Sequence, residues 1–431
     1  MSEDRLDFLL LGATGVTGMY CIPVLQELSK ENGRNFTWGV AGRSEKKIKD
    51  VLAQVGDKIG VDLSSTPIVL ADVNDDESLL KMARKTKILI NLCGPYNTLG
   101  LPVVEACVIA GTHHLDISGE PEYINSLPEK FNNIAKEKGL YIVSACGLDC
   151  LPSDLGLTYL NEKFDGTLNS VVVHANMWFE SRDDGPIINF GTWESFVYAV
   201  KHGLQFKEMK KVICPEKKYN FRPKLKVCHL PRYSKTVNGW TMYSVACDKL
   251  VMEETQKFLY ENENRRPVQV DMLVHVQTFW NFLTLQLILL LCMILAPFRC
   301  GRWLLLNYPH IFTAGYLKTK DKTPSEETVE NCWYQNTFYG EGWKEKLTDK
   351  DQEFTVPPNK SILARFKTRN PAYRFSSYAI VAAAIMISSE KEKLPKNGGV
   401  YSPGAAFSKT SLMEYLINKC CSFEIIEEKD L

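Results

Sequence analysis

The chain has 431 residues, too many for one ordinary core and enough for two or three domains at ~100–200 residues each. Its 51 basic residues are matched by 51 acidic ones, so no overall charge draws it to nucleic acid. Apolar content of 45% and charged content of 24% are those of an ordinary globular protein.

The opening residues run straight into a strand-like stretch, with no apolar leader and no small-residue cleavage site, so secretion is not expected. The 13 cysteines follow no repeating or metal-binding spacing and read as reduced thiols of a cytosol-facing protein.

Over the first 155 residues, continuous apolar runs alternate with helical patterns. The runs are Leu6–Leu11, Thr37–Ala41, Pro67–Ala71, Lys87–Leu92, His114–Ile117 and Leu140–Ser144. Strands apolar on both faces, separated by helices, predict an α/β fold: a Rossmann-type, doubly wound parallel sheet covered on both sides. Between the first strand and the first helix stands GATGVTG, with glycines at 12, 15 and 18. The first permits a tight turn, the second lets backbone approach a pyrophosphate, and the third lets helix and strand pack. The helix N-terminus, with its unpaired N–H groups, then receives the phosphates. Pro23 falls inside this helix and is expected to kink it.

The second strand selects the nucleotide. Its tip reads AGRSEKK, with Arg43 and Ser44 where an NAD site usually carries an acid. A carboxylate repels a 2′-phosphate and a guanidinium binds it, so NADP(H) is expected in preference to NAD(H). Asp72, ending the third strand, is placed to meet the adenine or to cap the next helix. Asn91 and Gly94, in NLCGPY, make a sharp exit where the nicotinamide belongs.

Candidate proton donors at strand ends are Tyr96, Asp116 and Glu120, with Cys146, Asp149 and Asp154 further on. Asp116 is the favoured acid. Asp149 and Asp154 flank Pro152 and read as well as helix caps. His113 and His114 read as structural. No Tyr-x-x-x-Lys pair follows the fourth strand, so no donor is assigned.

Beyond Leu155 the pattern becomes irregular, which predicts a second, mixed α/β domain over 156–384. Within it, 207–235 carries ten Lys or Arg against two Glu. That stretch reads as a solvated loop or as a face for anionic headgroups. A second feature, 272–317, opens with 27 residues free of Asp, Glu, Lys and Arg, followed by Arg299 and Arg302. Its length suffices for a spanning helix, but Pro297 and the arginines also suit two apolar arms entering one leaflet about a basic turn. A membrane-associating insertion is expected. Residues 385–431 read as a segment returning to the first domain.

GATGVTG, AGRSEKK, NLCGPY, LDISGE, GLDCLPSDLG and GGVYSPGAAFSKTSL occur in this order. Together they resemble the saccharopine dehydrogenase-like oxidoreductases over nearly the whole chain. The resemblance implies dinucleotide contacts at Gly12, Thr14, Gly15, Val16, Arg43 and Gly94. It also implies similarity to trans-acting enoyl reductases of lipid and glycolipid synthesis, and association with lipid droplets. The expected activity is reduction of a lipid-like or acyl substrate at a lipid droplet or membrane surface. The alternative is a lipid-droplet scaffold that keeps a cofactor domain without turnover.

Overall fold

The computed structural model describes residues 5–181, 183–198, 200–201, 222–244, 246–317, 322–347, 349–352 and 354–431. Much of the basic stretch 207–235 lies outside them.

Two seven-stranded sheets organise the chain. The first contains β1 (Leu6–Leu11), β2 (Trp38–Gly42), β3 (Ile68–Leu70), β4 (Thr86–Asn91), β5 (His113–Asp116) and β6 (Tyr141–Val143). The second holds β7 (Thr167–Phe179), β8 (Arg232–Ser234), β9 (Gly239–Tyr243), β10 (Gln269–Val276), β11 (Cys332–Trp343) and β12 (Lys360–Arg369). β13 (Gly399–Tyr401) returns to the first sheet beside β6, and β14 (Cys421–Asp430) closes the second beside β12.

The first sheet runs β13-β6-β5-β4-β1-β2-β3, with every pair parallel. The direction of winding reverses between β1 and β4, so a crevice opens at their carboxyl ends. β1 shows why the sheet is buried on both sides. Phe8 and Leu10 face one core, and Leu9 and Leu11 face the other, all fully or almost fully buried. The second sheet runs β14-β12-β11-β7-β10-β9-β8 and is mixed: only β7 and β10 pair in parallel.

The helix Ser376–Ser389 joins the two halves. Every residue from Ala379 to Ile387 is buried, and Cys21 Sγ reaches Ser377 Oγ at 3.2 Å. Its small side chains let the helix Val16–Leu28 approach on one side, while Phe338 and Phe366 of the second sheet belong to the same core.

The apolar insertion differs from a spanning segment. Helix Phe279–Leu295 has 17 residues, and Arg299–Asn307 follows after a turn. Among the described residues, no helix is long and apolar enough to cross a membrane. The break is physical. Arg302 Nη1 donates to the carbonyls of Ala296 (2.7 Å) and Pro297 (3.0 Å), ending the first arm. A Cβ at Gly301 would lie 2.1 Å from the Leu295 carbonyl oxygen, so glycine lets the arms cross closely. Cys292, Ala296 and Leu305 pack on Trp193 and Val197, but Trp280, Leu283, Leu287, Leu290 and Ile294 form an exposed stripe at helical spacing.

Candidate functional site

The three glycines serve three different purposes at the crevice. Gly12 has φ +93°, open to glycine and strained for other residues. A Cβ at Gly18 would come within 2.3 Å of the Gly12 carbonyl oxygen, so glycine there is what seats the helix on the turn. At Gly15 an added Cβ meets nothing closer than 3.4 Å. Gly15 is the N-cap of helix Val16–Leu28, makes no side-chain cap, and stands exposed with Thr14 and Val16. The Gly15 N–H is given to the Gly12 carbonyl at 3.0 Å, which shapes the turn, and the N–H groups of the first helical turn, which have no partner within the helix, leave an open cradle that a side chain would fill and that fits a diphosphate. Pro23 is taken up within the helix, which continues to Leu28.

Arg43 stands exposed at the end of β2, and Ser44 caps helix Glu45–Ile59 by accepting from Lys47 N–H. Burial pushes the Cys93 thiol up to about 11, against the pull of the Arg43 charge. Gly12 N–H donates to the Ala41 carbonyl at 3.2 Å, so the end of β2 that carries Arg43 lies beside the turn, and the loop after β4 abuts Gly12 through Cys93. A guanidinium beside a phosphate cradle is suited to a 2′-phosphate. Asp72 Oδ1 closes a turn onto Asn74 N–H, and the next helix is capped by Asp75 instead.

Asn91 is buried and shapes the exit of β4. Its Oδ1 accepts from Cys93 N–H at 3.0 Å, and its Nδ2 lies 3.3 Å from His114 Nε2. Burial lowers the pKa of His114 and takes His113 down to about 4. Both rings are neutral near pH 7, and His113 Nδ1 accepts from Tyr141 N–H. Gly94 and Pro95 are exposed at the rim.

Tyr96, Asp116 and Glu120 lie together behind this rim, each engaged in hydrogen bonds. Tyr96 is buried and donates its hydroxyl to the Asn91 carbonyl at 3.1 Å. Glu120 accepts from the Tyr96 and Asn97 N–H groups at 2.8 and 2.9 Å, capping helix Tyr96–Ala110 from the neighbouring loop. Asp116 is fully buried. Its carboxylate accepts from Ser118 N–H, Ser144 Oγ and Ala145 N–H at one oxygen and from the Tyr123 hydroxyl at the other. Cys146 is buried, with burial holding its thiol well above the usual range. Asp154 is also buried and pushed up to about 7 by loss of water, although Gly404 N–H donates to it at 2.7 Å.

Asp149, a candidate proton donor that also reads as a helix cap, is not the cap: Cys150 is the N-cap of helix Leu151–Lys163, and Asp149 is exposed, with its carboxylate against Gly119 of LDISGE.

A family model described as the saccharopine dehydrogenase NADP binding domain matches residues 8–143. A saccharopine dehydrogenase-like oxidoreductase from Homo sapiens is 31% identical over 438 residues, spanning 100% of both chains. A lipid droplet localized protein from Caenorhabditis elegans is 32% identical over 435 residues, covering 99% of this chain and 100% of that one. A trans-acting enoyl reductase from Mycobacterium ulcerans is 34% identical over 168 residues, 38% of each chain.

Proposed function

Because the chain belongs to the saccharopine dehydrogenase-like oxidoreductases, with their NADP-binding domain, we propose that it reduces a lipid-like substrate at the surface of a lipid droplet or membrane. NADP(H) supplies hydride chemistry to such a site. The residues that would hold it are Thr14, Gly15 and Val16 at the cradle, Arg43 at the 2′-phosphate, and the Gly94 loop at the nicotinamide.

The lipid reading rests on one observation, the exposed stripe from Trp280 to Ile294. Trp280 is 73% exposed, and Phe298, Trp303 and Ile311 extend the apolar surface over the turn and second arm. Apolar side chains in such a row gain on the order of 1–2 kcal/mol each on entering hydrocarbon. The hairpin that carries the stripe is linked to the cofactor domain through a chain of side-chain contacts. The segment under the hairpin carries Trp193 and, four residues earlier, Asn189, which donates to the Tyr373 hydroxyl. Tyr373 stacks on Tyr20, in the helix that begins at the cradle, with ring centroids 5.2 Å apart. The lipid-droplet name of one relative and the enoyl reductase name of another support the same reading.

A second reading has its own support. Tyr96, Asp116 and Glu120 are all engaged in holding loops, as expected of a scaffold that binds cofactor without turnover. The two separate by experiment. Wild-type protein on triolein droplets coated with phosphatidylcholine should float with them and consume NADPH when a trans-2-enoyl lipid is included. Flotation without consumption supports the scaffold, and failure to float removes the lipid-surface reading.

A further inference from the structure

The loops after β1, β4, β5 and β6 stand along the carboxyl edge of the first sheet. The first two supply Gly12 and Gly94. The loop after β5 carries Gly119, and the loop after β6 carries Asp149. Asp116 fastens these last two together. One of its carboxylate oxygens holds Ser118 N–H on one side and Ser144 Oγ on the other, at 2.9 and 2.6 Å. Its own carbonyl accepts from Cys146 N–H at 2.8 Å. From the second half of the chain, Ser376 Oγ accepts from Leu148 N–H at 3.1 Å. The backbone on which Asp149 sits is therefore fixed from two directions.

A Cβ added at Gly119 would lie 2.3 Å from Asp149 Oδ2, so the missing side chain is the space the carboxylate occupies. Among the described residues, Asp149 makes no hydrogen bond or ion pair. The neighbouring acids are engaged: Glu120 caps a helix, Asp248 accepts from Ser153 Oγ at 2.7 Å, and Asp154 accepts from Gly404 N–H. Asp149 differs from Asp116, Asp154 and Asp248 in having part of its side chain exposed, while the protein packed around the carboxylate raises its pKa.

Resting on the reductase reading, we propose that Asp149 is the acid at the hydride-transfer end of the site and supplies the proton that completes reduction. Reducing a polarised double bond adds a hydride, drawn from NADPH, to one atom and a proton to the other. Asp149 Oδ2–H gives that proton to the atom that gains the electron pair. The O–H pair stays behind as carboxylate, and solvent at the exposed part of the side chain restores the proton. Asp116 acts through it as a positioning residue.

The test needs no substrate. The oxidised nicotinamide ring is positively charged and the reduced ring is neutral, so an ionised carboxylate beside it favours NADP+ over NADPH. Dissociation constants of both are measured by calorimetry across the whole pH range in which the protein stays folded. Any effect of the shared 2′-phosphate cancels in their ratio. For wild type, Kd(NADP+)/Kd(NADPH) should fall about 10-fold as Asp149 ionises with rising pH. In Asp149→Asn the ratio should stay flat at the acid value. Gly119→Ala, which displaces the carboxylate end, should flatten it likewise. The same ratio in wild type and both variants, with both cofactors bound, overturns the proposal and leaves the reductase reading standing. Failure of wild type to bind either cofactor removes that reading and the proposal with it.

Discussion

A methyl group added at Gly15 meets no atom closer than 3.4 Å, whereas one at Gly18 lands 2.3 Å from a backbone oxygen. Gly15→Ala should therefore leave thermal stability unchanged and weaken NADPH binding at least 10-fold by filling the cradle. Gly18→Ala should destabilise by about 1–3 kcal/mol through overpacking, read as a lower melting temperature. Arg43→Ala should weaken NADPH by roughly 10- to 100-fold and leave NADH unaffected, since only the 2′-phosphate loses its partner. Asp154 carries a pH prediction. Burial raises its folded-state pKa to about 7, so the native protein holds that proton more tightly than the unfolded chain. Its contribution to stability is fully present below about pH 4 and is lost as pH rises through 7, with a slope approaching 1.4 kcal/mol per pH unit. Asp154→Asn should flatten the fall in melting temperature between pH 5 and 7. At this scale the glycine cradle and Arg43 were legible, because a turn needs glycine wherever it occurs. The fates of Asp116 and Glu120 were not, because their partners Ser144 and Tyr96 come from elements 24 to 28 residues away in the chain.

The hairpin of helices Phe279–Leu295 and Arg299–Asn307 shows both sides of reading an element from its composition. A long uncharged run announces that apolar surface is present. It does not announce where the helix stops, which here depends on Arg302 turning back onto two carbonyls and Gly301 allowing the arms to touch. The exposed stripe leads to a specific expectation. Leu287→Asp combined with Ile294→Asp should abolish flotation with phosphatidylcholine-coated droplets while NADPH affinity stays at the wild-type value. Flotation that persists at full strength would show that another surface makes the contact. Helix Ser376–Ser389 is a comparable case. Its run of Ala and Ile says that it is buried all round, but not that it lies between two sheets.

Across the whole molecule, one core runs from Phe8 and Leu10 of the first sheet through Ala379–Ile387 to Phe338 and Phe366 of the second. The two halves should therefore unfold in one transition, with cofactor release and loss of helix signal coinciding. Ala383→Leu, overfilling the shared layer, should lower that single midpoint by about 1–3 kcal/mol without splitting it. That the strands of the first half form one parallel sheet could be read from alternating strands and helices, since parallel crossovers are local. The second sheet could not, because β7 pairs with β11 from beyond β8, β9 and β10, and the pairing of β13 with β6 in the first sheet is likewise distant in the chain. Such pairings leave no periodic mark in the text. The most direct measurement is a titration of NADPH into the purified wild-type chain by calorimetry. Saturable one-to-one binding in the micromolar range, tighter than NADH and greatly weakened in Gly15→Ala, is expected. No heat of binding at millimolar NADPH, from a protein shown to be folded, would contradict it.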